Sequence, residues 1–177
     1  TFAGSHEVKG NIIYKVAADM TAAQLAAKIQ QTKVTAIEIA SAKLTVEDGF
    51  EKLTALAKLR NIALKGTAEV VANDTVALAN CPIYVSGTAN VISGTAPIAF
   101  VAGANSDYCK IDLAEGATFE VKTVIWGVQK INLGKNAKVI ARTNVYGPNT
   151  PESTVIHLST GASWLGTAFE KKATPSI

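Results

Sequence analysis

The sequence predicts a mainly β fold, a right-handed parallel β-solenoid of about six irregular coils with an N-terminal capping helix and one helical return segment. Two observations carry this prediction: an apolar motif repeats six times along the chain, and its spacing is typical of stacked-coil proteins. The composition agrees, since small residues are abundant and only 6% of the 177 residues are aromatic, which suits a thin core. The length is sufficient for one domain.

The repeated motif begins with two apolar residues separated by one residue, turns through small or polar residues, and then becomes apolar again. Its copies begin at residues 37, 62, 83, 111, 131 and 156, so they are 20 to 28 residues apart. Stacking would align the leading apolar residues into buried columns, because one coil cannot bury its inner face alone. The alternative is an antiparallel meander whose segments resemble each other by chance.

The second half of each copy shows a further regularity. In five of the six copies an alanine stands at the seventh position and a large apolar residue follows two places later. We expect the alanine to lie inside a narrow corner and the large residue to point into the core. The alanines are Ala68, Ala89, Ala117, Ala137 and Ala162, and the large residues are Val70, Val91, Phe119, Val139 and Trp164; the shorter first copy has Ala42 and Leu44.

The segments between copies predict a third side to each coil. Short apolar pieces at 76–78, 98–101 and 124–126 read as strands, which indicates a triangular cross-section. The segment 48–60 differs, because its apolar residues have helical spacing and Asp48 with Glu51 resembles a capping box. We therefore expect one return to be a helix.

The chain divides into three parts within a single domain. Residues 1–34 lack the repeat and predict a strand followed by a helix, with Thr21 and Gln24 in capping-box positions. Because an open solenoid end exposes its core and an unpaired strand edge, this helix is expected to act as a cap. Residues 35–168 are the predicted β-solenoid, and residues 169–177 are a polar tail.

Charge and hydropathy exclude several partners. The net charge is +3 and the lysines are scattered without interleaved aromatics, so we expect no nucleic-acid binding. No apolar stretch reaches transmembrane length, so we expect no membrane insertion. The sequence begins at Thr1 rather than Met, so it is either a processed product or an excised piece of a longer protein, and we expect a protein that is secreted or displayed on the cell surface. No phosphate loop or dinucleotide fingerprint occurs, and no cofactor is expected.

The two cysteines occupy equivalent positions. Cys81 and Cys109 each stand two places before the leading isoleucine of their copies, which follow one another. Neighbouring parallel strands lie about 4.8 Å apart, within the range that a disulfide spans. A disulfide in an exported protein and a stacked pair of reduced thiols both remain open. No third or fourth Cys or His lies near them in the sequence, so no metal site is expected.

The residue between the two leading apolar positions forms an outward column, and this column supplies the candidate binding site. Tyr84 offers a ring for stacking, while Asp112, Asn132 and His157 offer hydrogen bonds, a mixture that suits carbohydrate. The other interpretation is a solvated sheet surface without a ligand. The full column is Glu38, Ala63, Tyr84, Asp112, Asn132 and His157.

No catalytic pattern is evident, so we expect a protein that is not an enzyme. Polysaccharide lyases and hydrolases on solenoid scaffolds need clustered acids, but Glu38 and Asp112 belong to non-adjacent copies. The two histidines, His6 and His157, are far apart in the sequence. Trp126 and Trp164 fall on strand positions and are expected in the core or in a groove. A polysaccharide-active lyase or hydrolase is the alternative function.

Two segments carry a resemblance to known proteins. FEKLTALAKLRNIAL (50–64) and KINLGKNAKVIA (130–141) resemble the repeats of bacterial cell-surface leucine-rich-repeat and β-solenoid proteins. The likeness covers about residues 35–168. It implies an exported binding, adhesion or structural module whose partner is a glycan or another surface protein, and which does not catalyse a reaction.

Overall fold

The computed structural model describes residues 10–101, 106–147, 154–166 and 174–176. The chain is mainly β, and the strand pairs among these residues are all parallel. The strands form three sheets, and the chain visits them in turn, which is consistent with a β-solenoid-like fold. The predicted fold class is confirmed at this level.

Sheet A contains the leading strand of each repeat, and its strands follow one another in space in chain order. This order arises because each copy returns to the same edge of the sheet and adds one parallel strand. The strands are β1 (Ile13–Val16), β3 (Ala36–Ala40), β5 (Asn61–Lys65), β8 (Ile83–Ser86), β11 (Lys110–Leu113), β14 (Lys130–Leu133), β16 (Val155–Leu158) and β18 (Thr174–Ser176).

The other two sheets contain the remaining strands of the repeats. Sheet B comprises β2 (Met20–Thr21), β4 (Lys43–Val46), β6 (Glu69–Ala72), β9 (Asn90–Gly94), β12 (Thr118–Val121), β15 (Lys138–Ala141) and β17 (Ser163–Gly166). Sheet C comprises β7 (Val76–Ala79), β10 (Ile98–Val101) and β13 (Ile125–Trp126), and a bridge from Ile125 to Val145 extends it. The third apolar pieces predicted from the sequence are therefore strands.

The leading isoleucines of the six copies pair in one register across sheet A. Ile131 pairs with Ile111 on one side and with Ile156 on the other, and all three are at most 1% exposed. The same column continues through Ile83 and Ile62. The predicted inward column is confirmed, because a strict two-residue period leaves only one set of side chains able to face the core.

The predicted column in sheet B is wrong at the third copy. Val91 faces outward and pairs with Glu69 and Glu120, while Asn90 and Ile92 are buried in its place. Ala89, expected inside the corner, is exposed. The turn before β9 uses one more residue than expected, and a slip of one residue exchanges the two faces of a strand.

The corner of the fifth copy depends on two residues with different roles. Asn136 adopts a left-handed backbone conformation with φ of 60°, which asparagine tolerates better than most residues. Gly134 has no positive φ, but a Cβ atom there would lie 2.8 Å from the Leu113 carbonyl oxygen. Gly134 therefore permits close approach to the preceding copy, and Ala137 behind it is fully buried, as expected.

The return over 48–60, predicted to be a helix, is helical only in part and in 3-10 geometry. It contains two 3-10 turns, Phe50–Lys52 and Leu56–Lys58, and Leu53 between them has an extended backbone. Phe50, Leu56 and Leu59 are all buried. The segment therefore packs on the core through two short turns rather than along one face of a single helix.

The N-terminal part adds strands to the same sheets as the repeats. β1 pairs with β3, and β2 pairs with β4, although their sequence lacks the motif. The helix α1 (Ala22–Ile29) begins with the predicted capping box, in which the Thr21 side chain accepts from the Gln24 amide and the Gln24 side chain accepts from the Thr21 amide. Its residues Ala22, Leu25 and Ile29 are buried in the core.

The predicted polar tail is only partly described. Thr174–Ser176 form β18, which pairs with β16, so part of this segment is a strand of sheet A. The rest of the predicted tail lies outside the described residues, as do the first nine residues of the chain, His6 among them.

Candidate functional site

The predicted polar column lies on one line across sheet A. Register pairs join Glu38 to Ala63, Ala63 to Tyr84, Tyr84 to Asp112, Asp112 to Asn132, and Asn132 to His157. The sheet brings all four predicted ligand-binding residues together, because the leading strands share one register. Adjacent members are about 4.8 Å apart along the column, the spacing of neighbouring strands.

Asp112 is the centre of a hydrogen-bonded cluster in this column. Its side chain is only 1% exposed, and Oδ2 lies 3.0 Å from the Lys110 Nζ atom. Its other oxygen, Oδ1, accepts a hydrogen bond of 2.6 Å from the Asn132 side-chain amide. Both carboxylate oxygens therefore have partners within the protein, and the buried negative charge is compensated.

Tyr84 is covered rather than available for stacking. The residue is 8% exposed, and the Lys110 Nζ atom lies 5.7 Å from the centre of its ring, in a cation–π contact. Burial raises the pKa of the Tyr84 hydroxyl, although the positive charge of Lys110 acts in the opposite direction. A ligand that stacked on this ring would have to displace Lys110.

Lys110 connects the two residues and is held in its charged form. Burial lowers the pKa of its ammonium group, but the hydrogen bond and charge of Asp112 outweigh this effect, and the net pKa is raised above its usual value. Lys110 therefore acts as a fixed cation between the Tyr84 ring and the Asp112 carboxylate.

The other acid of the column is also paired. Glu38 forms an ion pair with Lys65, and its second oxygen lies 3.9 Å from Lys15. Glu38 is 7% exposed, and its neighbour Ala63 is 2% exposed, so this end of the column presents little polar surface. At the opposite end, Asn132 is half-buried and His157 is exposed.

The acids of the column are too far apart to act as a catalytic pair. Glu38 and Asp112 lie on strands separated by two others, which places them about 14 Å apart. Glycoside hydrolysis uses two carboxyl groups about 5 to 9.5 Å apart. Each of these acids instead has a lysine partner.

Cys81 and Cys109 are buried free thiols, so the structure corresponds to the reduced pair of the two alternatives. The Cys109 Sγ atom lies 3.9 Å from the Val101 carbonyl oxygen. Burial raises the pKa of both thiols. Protonated, buried thiols are poor nucleophiles and poor metal ligands, which indicates a packing role for both residues.

Trp126 is an exposed aromatic residue that the sequence interpretation placed in the core or in a groove. It is 51% exposed on the outer face of sheet C, while its neighbour Ile125 is fully buried. Aligning the third strands would have found it, since Trp126 pairs with Ala99, which in turn pairs with Ala77. Trp164 is partly buried against the core, as expected.

The described residues contain no group of three or more His, Cys, Asp and Glu side chains that could hold a metal ion. Within the same ranges, no helix is long and apolar enough to cross a membrane. No protein-family model, curated protein or solved structure matches the chain.

Proposed function

We propose that the chain is a right-handed β-solenoid of about six coils, capped at its N-terminal end by α1. Parallel strands of one sheet joined by a crossover are right-handed in about 98% of cases, which supports the hand. The burial of Leu25 and Ile29 beside the first strands supports the capping role, since an open end would expose the core.

We further propose that this solenoid is a non-catalytic binding or adhesion module, exported to the cell surface or beyond. The observation that carries the proposal is the pairing of Asp112 with Lys110 and Asn132. The Asp112 carboxylate is 1% exposed and paired on both oxygens, so it fixes the positions of Lys110 and Asn132 rather than acting as a proton donor or a nucleophile. The column is therefore suited to holding a partner in a defined orientation.

The proposed partner is a glycan or another surface protein. Support comes from the accessible end of the column, where Asn132 is half-buried and His157 is exposed on adjacent strands in register. Amide and imidazole groups can both donate and accept hydrogen bonds, which suits hydroxyl-rich ligands. The sheet fixes the spacing of their backbones at about 4.8 Å, so both groups are presented to the same ligand.

A binding assay on an immobilised glycan array and on intact bacterial cells tests this function. The wild-type protein is compared with the double variant Asn132→Ala/His157→Ala and with Lys43→Ala, whose side chain lies on the separate sheet B. The proposal expects binding by the wild-type protein and by Lys43→Ala, and weaker binding by the double variant. Absence of any binding, or turnover of a polysaccharide by the wild-type protein, would contradict it.

A further inference from the structure

Large hydrophobic side chains are concentrated on the surface near one corner of the fold. Val101, Tyr108 and Trp126 are 47%, 47% and 51% exposed, and they are three of the six large hydrophobic residues exposed in the described part of the chain. Scattered exposed hydrophobics need no explanation, but a group with polar neighbours is typical of a binding surface.

Backbone contacts place these residues around the same corner, where the chain passes from sheet C to sheet A. The Sγ atom of Cys109, the residue after Tyr108, lies 3.9 Å from the Val101 carbonyl oxygen. The Cys109 carbonyl oxygen also accepts a hydrogen bond of 2.7 Å from the Gln129 amide, three residues beyond Trp126. We name this set of residues, Val101, Tyr108 and Trp126, the aromatic corner.

The Trp126 side chain is exposed on the outer face of sheet C and has small neighbours on one side. Its register partner on the neighbouring strand is Ala99, and the next strand has Ala77 in the same line. The methyl side chains of Ala99 and Ala77 project little from the sheet, so the surface beside the Trp126 ring is flat over about 10 Å, the width of two strand spacings. A flat ligand could therefore lie across the strands and cover the ring.

The border of the aromatic corner is polar but balanced in charge. Asp107 and Lys130 lie 3.8 Å apart with side chains 70% and 39% exposed, so an acceptor and a donor are presented side by side. The bridge from Ile125 to Val145 brings Asn144 and Tyr146 beside Trp126, and the Asn144 amide donates a hydrogen bond of 2.6 Å to the Tyr146 hydroxyl. A balanced border favours an uncharged ligand with many hydroxyl groups over a nucleic acid or another polyanion.

We propose that the aromatic corner binds an uncharged polysaccharide, with a sugar ring stacked on Trp126 and hydroxyl groups bonded to Asp107 and Lys130. This inference rests on the proposed binding function and adds a glycan-binding surface on sheet C to the one proposed on the sheet A column. The apolar face of a pyranose ring complements an exposed indole ring, and its hydroxyl groups complement paired donors and acceptors.

Titration of the full chain with soluble oligosaccharides tests the site. The probes are cellohexaose, xylohexaose and chitohexaose, with an oligogalacturonate as the anionic comparison, and the signals are calorimetric heat and acrylamide quenching of tryptophan fluorescence. We expect a neutral hexasaccharide to bind and to protect Trp126 from quenching. Trp126→Ala should weaken binding by roughly tenfold or more, and Trp126→Phe should weaken it less.

Leu165→Ala is the matched control, because Leu165 is an equally exposed hydrophobic residue, 48% exposed, on sheet B. It should bind as the wild-type protein does. Glycan binding that survives Trp126→Ala would overturn the site and leave the proposed binding function standing. Failure of the wild-type protein to bind any neutral probe would overturn the glycan inference, whereas adhesion to cells through a protein partner would still support the proposed function.

Discussion

Replacing Asp112 with alanine tests whether the cluster on sheet A stabilises the fold. The substitution removes the acceptor for the Asn132 amide and the counter-ion for Lys110, which lie 2.6 and 3.0 Å from the two carboxylate oxygens. The alanine side chain has no polar group that could replace either contact. The expected result is a substantial loss of stability, because a buried charged network is costly to break.

The size of the loss follows from the number and burial of these contacts. Each hydrogen bond to a charged group contributes about 1.5–3 kcal/mol. The Lys110 side chain is 28% exposed and Asn132 is half-buried, so both can recover part of this in water. We therefore expect Asp112→Ala to lower the free energy of unfolding by about 2–3 kcal/mol, and Asp112→Asn by about half of that.

Urea unfolding, followed by circular dichroism and tryptophan fluorescence, measures the loss. Glu120→Ala is the matched control: Glu120 pairs with Arg142 on sheet B, and the Arg142 side chain is 60% exposed, so the loss should stay below about 1 kcal/mol. Equal losses for the two variants, or a loss below about 1 kcal/mol for Asp112→Ala, would show that the cluster does not stabilise the fold. A double-mutant cycle with Asn132→Ala should show a coupling of about 1 kcal/mol.

Further predictions concern the core, a corner, a titrating group and the thiols. Ile131→Ala should lower the free energy of unfolding in urea by about 3 kcal/mol, because the side chain is 1% exposed and its removal leaves a cavity. A loss below about 1 kcal/mol would contradict the inward position of the leading isoleucines. Gly134→Ala should lower the midpoint of thermal unfolding, since its Cβ atom would crowd the Leu113 carbonyl oxygen; an unchanged midpoint would contradict that packing. The pKa of Tyr84 is raised above its usual 10.0, so its contribution to stability is complete below pH 10.0 and is lost as the pH rises through the pKa of the folded state. Tyr84→Phe should therefore lose less stability at alkaline pH than the wild-type protein in unfolding curves. An unaltered pH profile of stability would argue against a raised pKa for Tyr84. Thiol titration should find two reactive groups after unfolding and slow reaction before it, whereas a count of zero would indicate a disulfide between Cys81 and Cys109.

Much of sheet A could be predicted from the sequence, because its signal is local and repeated. Isoleucine leads all six copies, and the residue two places later is always apolar. Only one register buries both positions in every strand, so the outward column from Glu38 to His157 follows directly. The column's position was predictable, but its contacts were not, since the sequence does not show that Lys110 covers Tyr84 and pairs with Asp112.

The errors arise where one residue changes the geometry. Asn90 occupies an inward position in β9, and its side-chain amide donates to the Ser86 and Gly87 carbonyl oxygens at the preceding corner. A buried polar residue in an apolar column contradicts simple patterning, so the alignment placed Val91 inside instead. The amide adds a hydrogen bond to two carbonyl oxygens that also accept from the Gly66 and Thr118 backbone amides, so the inward-facing amide group has partners at this corner.

The exposed position of Trp126 was missed for a related reason. β13 contains only two residues, too few to show an alternating pattern by themselves. Its orientation is determined by pairing with β10, where Ala99 is the outward neighbour. Information of this kind comes from the stacking of distant segments and not from the local sequence.

Disulfide trapping across sheet A tests whether the leading strands share a common register. In a Cys81→Ser/Cys109→Ser background, the pair Asn132→Cys/His157→Cys places two thiols on register partners, with Cα atoms about 4.8 Å apart. The control pair Glu38→Cys/Asn132→Cys lies four strands apart, about 19 Å. We predict that mild oxidation links the first pair only, detected by peptide mass spectrometry without reduction. Failure of the first pair to form, or equal linkage in the control, would contradict the register.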